Sequence, residues 1–110
     1  MTTTDRPVQT DAASYDVWQL RLYIAGQSPN SLQACANLKR LCDQHLAGRY
    51  EIEIETVDLV ESPSRARDDE ILAIPTLVRR RPAPHRKIIG DLSDTRRVLE
   101  GLRLYPDIPR

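Results

Sequence analysis

The chain of 110 residues has no phenylalanine, one tryptophan, one methionine and two cysteines. So few aromatics leave little stacking surface for single-stranded nucleic acid, and two cysteines cannot build a disulfide framework. Net charge is missing as well. Sixteen basic side chains balance 16 acidic ones, so the whole-chain field favours neither nucleic acid nor an anionic membrane as partner. No apolar run approaches ~20 residues, so no helix is expected to span a bilayer. The polar start lacks the apolar stretch of a secretion signal. Residues 1–16 read as a disordered leader, and the protein as cytoplasmic. What is present, 40% hydrophobic and 29% charged residues, suits one modest soluble domain.

The chain is organised around Leu20 to Leu38. Leu20, Leu22 and Ile24 alternate with Arg21 and Tyr23, the period of a strand with one face on a core, and Trp18 extends the apolar face. Gly26 permits a tight exit. Ser28 then suits a helix N-cap and Pro29 a first helical position, where its missing N–H costs nothing. Leu32, Cys35, Leu38 and Cys42 recur at three- and four-residue steps, widened by Ala34 and Leu41, and Gly48 stops the helix.

Downstream, Ile52 and Ile54 alternate with Glu51, Glu53 and Glu55 before Val57 and Leu59 take the opposite parity, which predicts a second strand bulged near Thr56. A helix between two strands makes a right-handed unit with the strands parallel. The acidic row is expected to be a solvated face, since alternate strand positions splay rather than converge on a metal. Ser62-Pro63 repeats the cap-and-proline signal before a short polar helix anchored by Ala66, Ile71 and Leu72. Pro75 opens a third strand and is compatible with a cis bond. Arg86 to Gly90 pairs with that strand across a turn whose arginines, Arg79, Arg80, Arg81 and Arg86, with Lys87, read as solvated edge charges. Ser93 is expected to cap a last helix with Val98, Leu99 and Leu102 as its stripe.

The resulting order, β-α-β-α-β-β-α, is that of an α/β thioredoxin-like domain. Thiol-disulfide or glutathione chemistry would place a cysteine at the first helix N-terminus, where the dipole stabilises thiolate. GQSPNS stands there instead. Cys35 and Cys42 lie further along the apolar stripe, where burial raises a thiol pKa, and at ~10 Å separation they cannot be bridged. No catalytic residue, cofactor site or metal site is expected. A zinc site from Cys42, His45 and His85 lacks an evident fourth ligand. Asp58 has no visible cleft partner, and Asp91 and Asp94 resemble a helix start.

LYIAGQSPNSLQACANL, VDLVESPSRARDDEILAIPTL and IIGDLSDTRRVLEGLRL together resemble the signature blocks of the circadian clock protein KaiB family, in order and at matching spacing from Leu20 to Leu104. The sensor domain of the clock-output kinase SasA is similar in its first half. On this resemblance, residues 17–105 form the KaiB-like domain and 106–110 a short tail. The resemblance implies a non-enzymatic clock or signalling adaptor that binds a KaiC-like hexameric ATPase and regulates its phosphorylation state or output. In cyanobacteria such binding displaces the output kinase and captures KaiA. Alternatives are a sensor-like module contacting a SasA-like histidine kinase, and the thiol enzyme weighed above.

The family is also metamorphic. The resemblance implies a second packing, β-α-β-β-α-α-β, as a homotetrameric ground state, with homodimers also possible. Gly101 and Arg103 fall in the segment that changes fold. Family members commonly carry an acidic residue in place of Arg103. A cation near a helix C-terminus is favoured by ~0.3–1 kcal/mol, which predicts a bias toward the thioredoxin-like form. Positions that are often basic and face the partner in that family are Gln33, Glu53 and Glu70 here, with Glu51 in the same acidic row. The cognate ATPase surface is therefore expected to be less acidic than usual. With no acidic tail after Pro109-Arg110, the chain reads as a divergent paralogue in a timing or stress-adaptation pathway.

Overall fold

A computed structural model describes residues 17–46, 48 and 51–103; the expected leader and tail lie outside these. The elements are β1 (Val17–Ile24), α1 (Pro29–Leu41) continuing into a π-helical turn (Cys42–Leu46), β2 (Glu51–Asp58), a 3-10 helix (Pro63–Asp69), β3 (Thr76–Arg81), β4 (Arg86–Ile89) and α2 (Thr95–Leu102). The sheet order is β2-β1-β3-β4. β2 runs parallel to β1, β3 antiparallel to β1, and β4 antiparallel to β3. This is the expected thioredoxin-like order, its middle helix wound as a 3-10 helix.

The turn into α1 forms as its residues dictate. Gly26 takes a left-handed φ of +55°, and its N–H donates to Asp58 Oδ1 at 2.9 Å. Ser28 caps the helix by accepting from the Ser31 N–H, with Pro29 in the first turn. The main core lies on one face of the sheet, where Leu20, Leu22 and Leu77 meet Ala34, Leu38 and Leu41 of α1 and Val98 and Leu102 of α2. On the opposite face a smaller cluster of Tyr23, Val57 and Val78 is covered by Leu59 and Ile71.

Several local expectations are corrected. Leu32 is half exposed, and Ser31 takes its place because its Oγ accepts the Ala25 N–H at 2.9 Å, turning the helix by one position. Cys35 and Cys42 sit at the margin of the core. β2 has no bulge at Thr56: its pairing with β1 is unbroken over eight residues, and the irregularity falls between β1 and β3 at Gln19/Leu20. The parity change reflects what covers the strand, since Ile52 packs against the main core and Val57 belongs to the opposite-face cluster. Ser62 makes no side-chain cap, and Leu72 is 97% exposed, leaving Ile71 as the anchor. Asp94 rather than Ser93 caps α2, because the Ser93 N–H is turned to Asp91 Oδ1. Of the tail from Val98 to Tyr105, which by its alternation could extend as a strand, the part to Leu102 is helical.

Candidate docking surface and the links behind it

β1 presents Arg21 and Tyr23 to the face opposite α1, and both are buried. Tyr23 OH donates to Asp69 Oδ2 at 2.6 Å. Arg21 Nη1 donates to the Tyr23 oxygen at 3.1 Å and reaches Asp68 at 3.3 Å, while its Nε bonds Glu55 at 2.9 Å. Arg65 of the 3-10 helix closes the ring by bonding the other Glu55 oxygen at 2.9 Å. The Asp69 side chain is fully buried, its Oδ1 facing Arg80 Nε at 3.3 Å and His85 Nδ1 at 3.7 Å. These contacts lack hydrogen-bond geometry. Sequence reasoning missed Asp69 as a hub. The available signal was a phenol and a guanidinium on one strand face with an acidic pair to meet them.

The electrostatics follow from the contacts. Burial pushes the Tyr23 phenol above its ordinary value, as does its bond to Asp69, against the opposing effect of Arg21. Hydrogen bonding from Arg65, with help from Arg21, holds the Glu55 carboxyl below the usual range. Burial works against the Arg21 charge, but its contacts to Tyr23 and Glu55 outweigh that and raise its pKa.

The far side of the sheet holds a second set of links. Arg79, expected on a solvated hairpin, is buried because its guanidinium stops the C-terminal end of α2: Nη1 donates to Leu102 O at 2.6 Å and Nη2 to Pro84 O at 2.9 Å. It also lies 5.0 Å from the centre of the Trp18 ring. Burial lowers the Arg79 pKa, as do the charges of Arg86 and Arg103. Asn37 of α1 donates to Asp91 O at 2.8 Å, fastening the link that precedes α2.

The expected partner-facing residues are all exposed but do not share one face. Glu51 and Glu53 stand on the Arg21 face of β2, with Glu53 accepting from Gln19 at 3.3 Å. Gln33 is on α1, which packs on the opposite face of the sheet, one turn before Asn37. Glu70 follows the 3-10 helix in a left-handed conformation, and its carbonyl accepts from Lys87. Gly101 lies in α2 against Ile88, and Arg103 ends that helix with φ 62°.

Chemistry is poorly served by this arrangement. Burial pushes the Cys42 thiol up, assisted by the charge of Asp43, the opposite of what a thiolate nucleophile needs. Asp58 is occupied by the Gly26 and Val60 N–H groups. His85 lies against Asp69 on the face opposite Cys42, and no metal-binding group of three or more His, Cys, Asp or Glu occurs among the described residues.

A family model described as the KaiB domain matches residues 21–104. The chain belongs to the KaiB family. Circadian clock protein KaiB3 of Synechocystis is 46% identical over 80% of this chain and 84% of its own length. The circadian clock oscillator protein KaiB of Nostoc punctiforme is 49% identical over 77% of this chain and 80% of its own. Among solved structures, the N-terminal domain of SasA from Synechococcus elongatus superposes with a TM-score of 0.68 at 17% identity, over 94% of this chain and 99% of that domain. Mitochondrial thioredoxin 3 of Saccharomyces cerevisiae gives 0.61 at 21%, over 78% of this chain and 76% of that one. The structural likenesses establish the thioredoxin-like fold, while the curated relatives, named as circadian clock proteins, support a KaiB-family clock regulator. No helix among the described residues is long and apolar enough to cross a membrane.

Proposed function

We propose that this KaiB-family protein is a non-enzymatic adaptor that binds a KaiC-like hexameric ATPase and regulates its phosphorylation state or output in the cytoplasm. The observation that carries this reading is the KaiB-domain match across residues 21–104, with curated KaiB relatives at 46–49% identity. Among the described residues β2 is an edge strand of the sheet, and Gln33, Glu51, Glu53 and Glu70 are exposed and serve as candidate contacts. Their chemistry favours a partner surface that is not strongly acidic, because rim charges act on association rate and partner choice. The segment carrying Gly101 and Arg103 governs exchange with the second packing and with any homodimer or homotetramer. Arg103 at the α2 C-terminus biases the balance toward the thioredoxin-like form.

Co-elution of the purified protein with the KaiC-like ATPase of its own organism, in ATP and in ADP, tests this. A complex in one nucleotide state is expected, and the absence of a complex in both removes the adaptor reading. The fold shared with the SasA N-terminal domain supports a second reading, direct contact with a histidine kinase. That reading predicts retention of a SasA-like kinase by the immobilised protein with no ATPase present.

A further inference from the structure

Arg79 and Arg86 are directly opposite each other in the β3–β4 ladder, so their side chains project to the same face. Like charges in that relation are destabilising. A third guanidinium, Arg103, follows Leu102, whose carbonyl Arg79 holds. Among the described residues no carboxylate forms an ion pair with any of the three. Among the described residues Arg79 donates to the carbonyls of Leu102 and Pro84. Arg79 is 4% exposed, and its Nε and that of Arg86 are buried without hydrogen-bond partners.

We propose that Arg79, Arg86 and Arg103 form a binding site for a small phosphoryl anion of the pyrophosphate type. One carboxylate has two oxygens, which a single guanidinium fork satisfies. Three guanidiniums with donors to spare call for more oxygens and more charge, as linked phosphoryl groups supply. Burial lowers the Arg79 pKa first, and the charges of Arg86 and Arg103 lower it further, so these two guanidiniums act on Arg79 with the same sign. The site spans the β3–β4 hairpin and the end of α2, and it is assembled only while α2 is helical and docked. A bound phosphoryl anion therefore stabilises that docking, since a ligand favours whichever state it binds.

Isothermal calorimetry of the full chain with pyrophosphate, at constant ionic strength set by chloride, tests the site. Saturable one-to-one binding is expected, weakened about tenfold by Arg86→Gln and again by Arg103→Gln. Arg86→Lys should recover only part of the loss, because the ammonium keeps the charge without the fork. Neither the Arg86 nor the Arg103 side chain forms an ion pair among the described residues; because Arg103 also ends α2, circular dichroism and the thermal midpoint of each variant establish that it keeps the wild-type fold before its heats are compared. Repeating the titration with ADP separates the sources: equal affinity assigns recognition to the phosphoryl groups alone, and tighter binding adds a base contact to them. Heats that are the same in wild type and the double variant, or no saturable binding in wild type, overturn the proposal.

Discussion

The two halves of the chain are held by different forces. From β1 to β2 the structure rests on leucines: Leu20 and Leu22 meet Leu38 and Leu41 in a contact that shape and burial determine. From the 3-10 helix to α2 there is also apolar burial, at Leu77, Ile88, Val98 and Leu102, but each attachment carries a directed polar link. Asp69 fastens the 3-10 helix to Tyr23, Asn37 fastens the loop before α2, and Arg79 fastens the end of α2. Apolar packing resists dissection, whereas a polar link can be made or broken as a unit. A half held by such links is the half that can be released while the other stays folded.

Asp69→Ala should have the largest effect and tests that separation. It leaves Arg21 and Arg80 beside an emptied buried site and the Tyr23 hydroxyl without its acceptor. The expected cost is about 3–5 kcal/mol, the range for breaking one side of a buried charge cluster. Hydrogen exchange should show protection lost first from residues 63–102 and kept in β1, α1 and β2. Leu38→Ala, at about 3 kcal/mol of cavity and transfer cost, should instead lower protection in both halves together. If both variants open the same amides, the halves are one cooperative unit.

Much of the first half was legible in the sequence because its signals are local. The alternation of Leu20 to Ile24, the Ser28-Pro29 start and the Gly26 turn each encode their own conformation. The far face of β1 was not legible, because Arg21 and Tyr23 look like solvent-facing residues until a carboxylate 46 positions away is brought to them. Ser93 and Asp94 are equally suited by residue type to cap α2, and only the turn made by Asp91 decides between them. The burial of Arg79 was not legible for a related reason: its acceptor is a helix-end carbonyl 23 residues on, which no periodicity marks. The candidate contacts Gln33, Glu51, Glu53 and Glu70 came from family resemblance, and their split across two faces is a property of the sheet.

Arg79→Met tests the second polar link. It keeps much of the buried stem but removes two hydrogen bonds, leaving Leu102 O without a partner. Relief of repulsion with Arg86 and Arg103 offsets part of the loss, so a cost of about 2 kcal/mol is expected. Amide protection should fall in α2 and the hairpin, with the 3-10 helix unaffected.

Tyr23→Phe should cost less, about 1–2 kcal/mol, because it removes one hydroxyl from an otherwise occupied cluster. It also carries a pH signature. The folded phenol has its pKa raised, so its contribution is fully present below the ordinary phenol value of about 10 and is lost as pH rises through the folded value. Wild-type urea midpoints should fall across that alkaline range by more than those of Tyr23→Phe. Equal slopes would mean that the Asp69 link does not depend on the phenolic proton.

The smallest effect is expected at Gly101, and it bears on whether packing or polar linkage holds α2. A methyl group there overlaps the end of the Ile88 side chain. Ile88 can turn that end aside for about 0.5–1.5 kcal/mol, while alanine in a helix interior gains about 0.8–1 kcal/mol over glycine. Gly101→Ala should therefore shift the thermal midpoint little in either direction. Gly101→Val, with two further methyls at the same point, cannot be relieved by turning one side chain and should release α2. If the alanine variant loses protection in α2 as fully as Arg79→Met, close helix-to-sheet packing would be the principal restraint on α2, and Arg79 secondary to it.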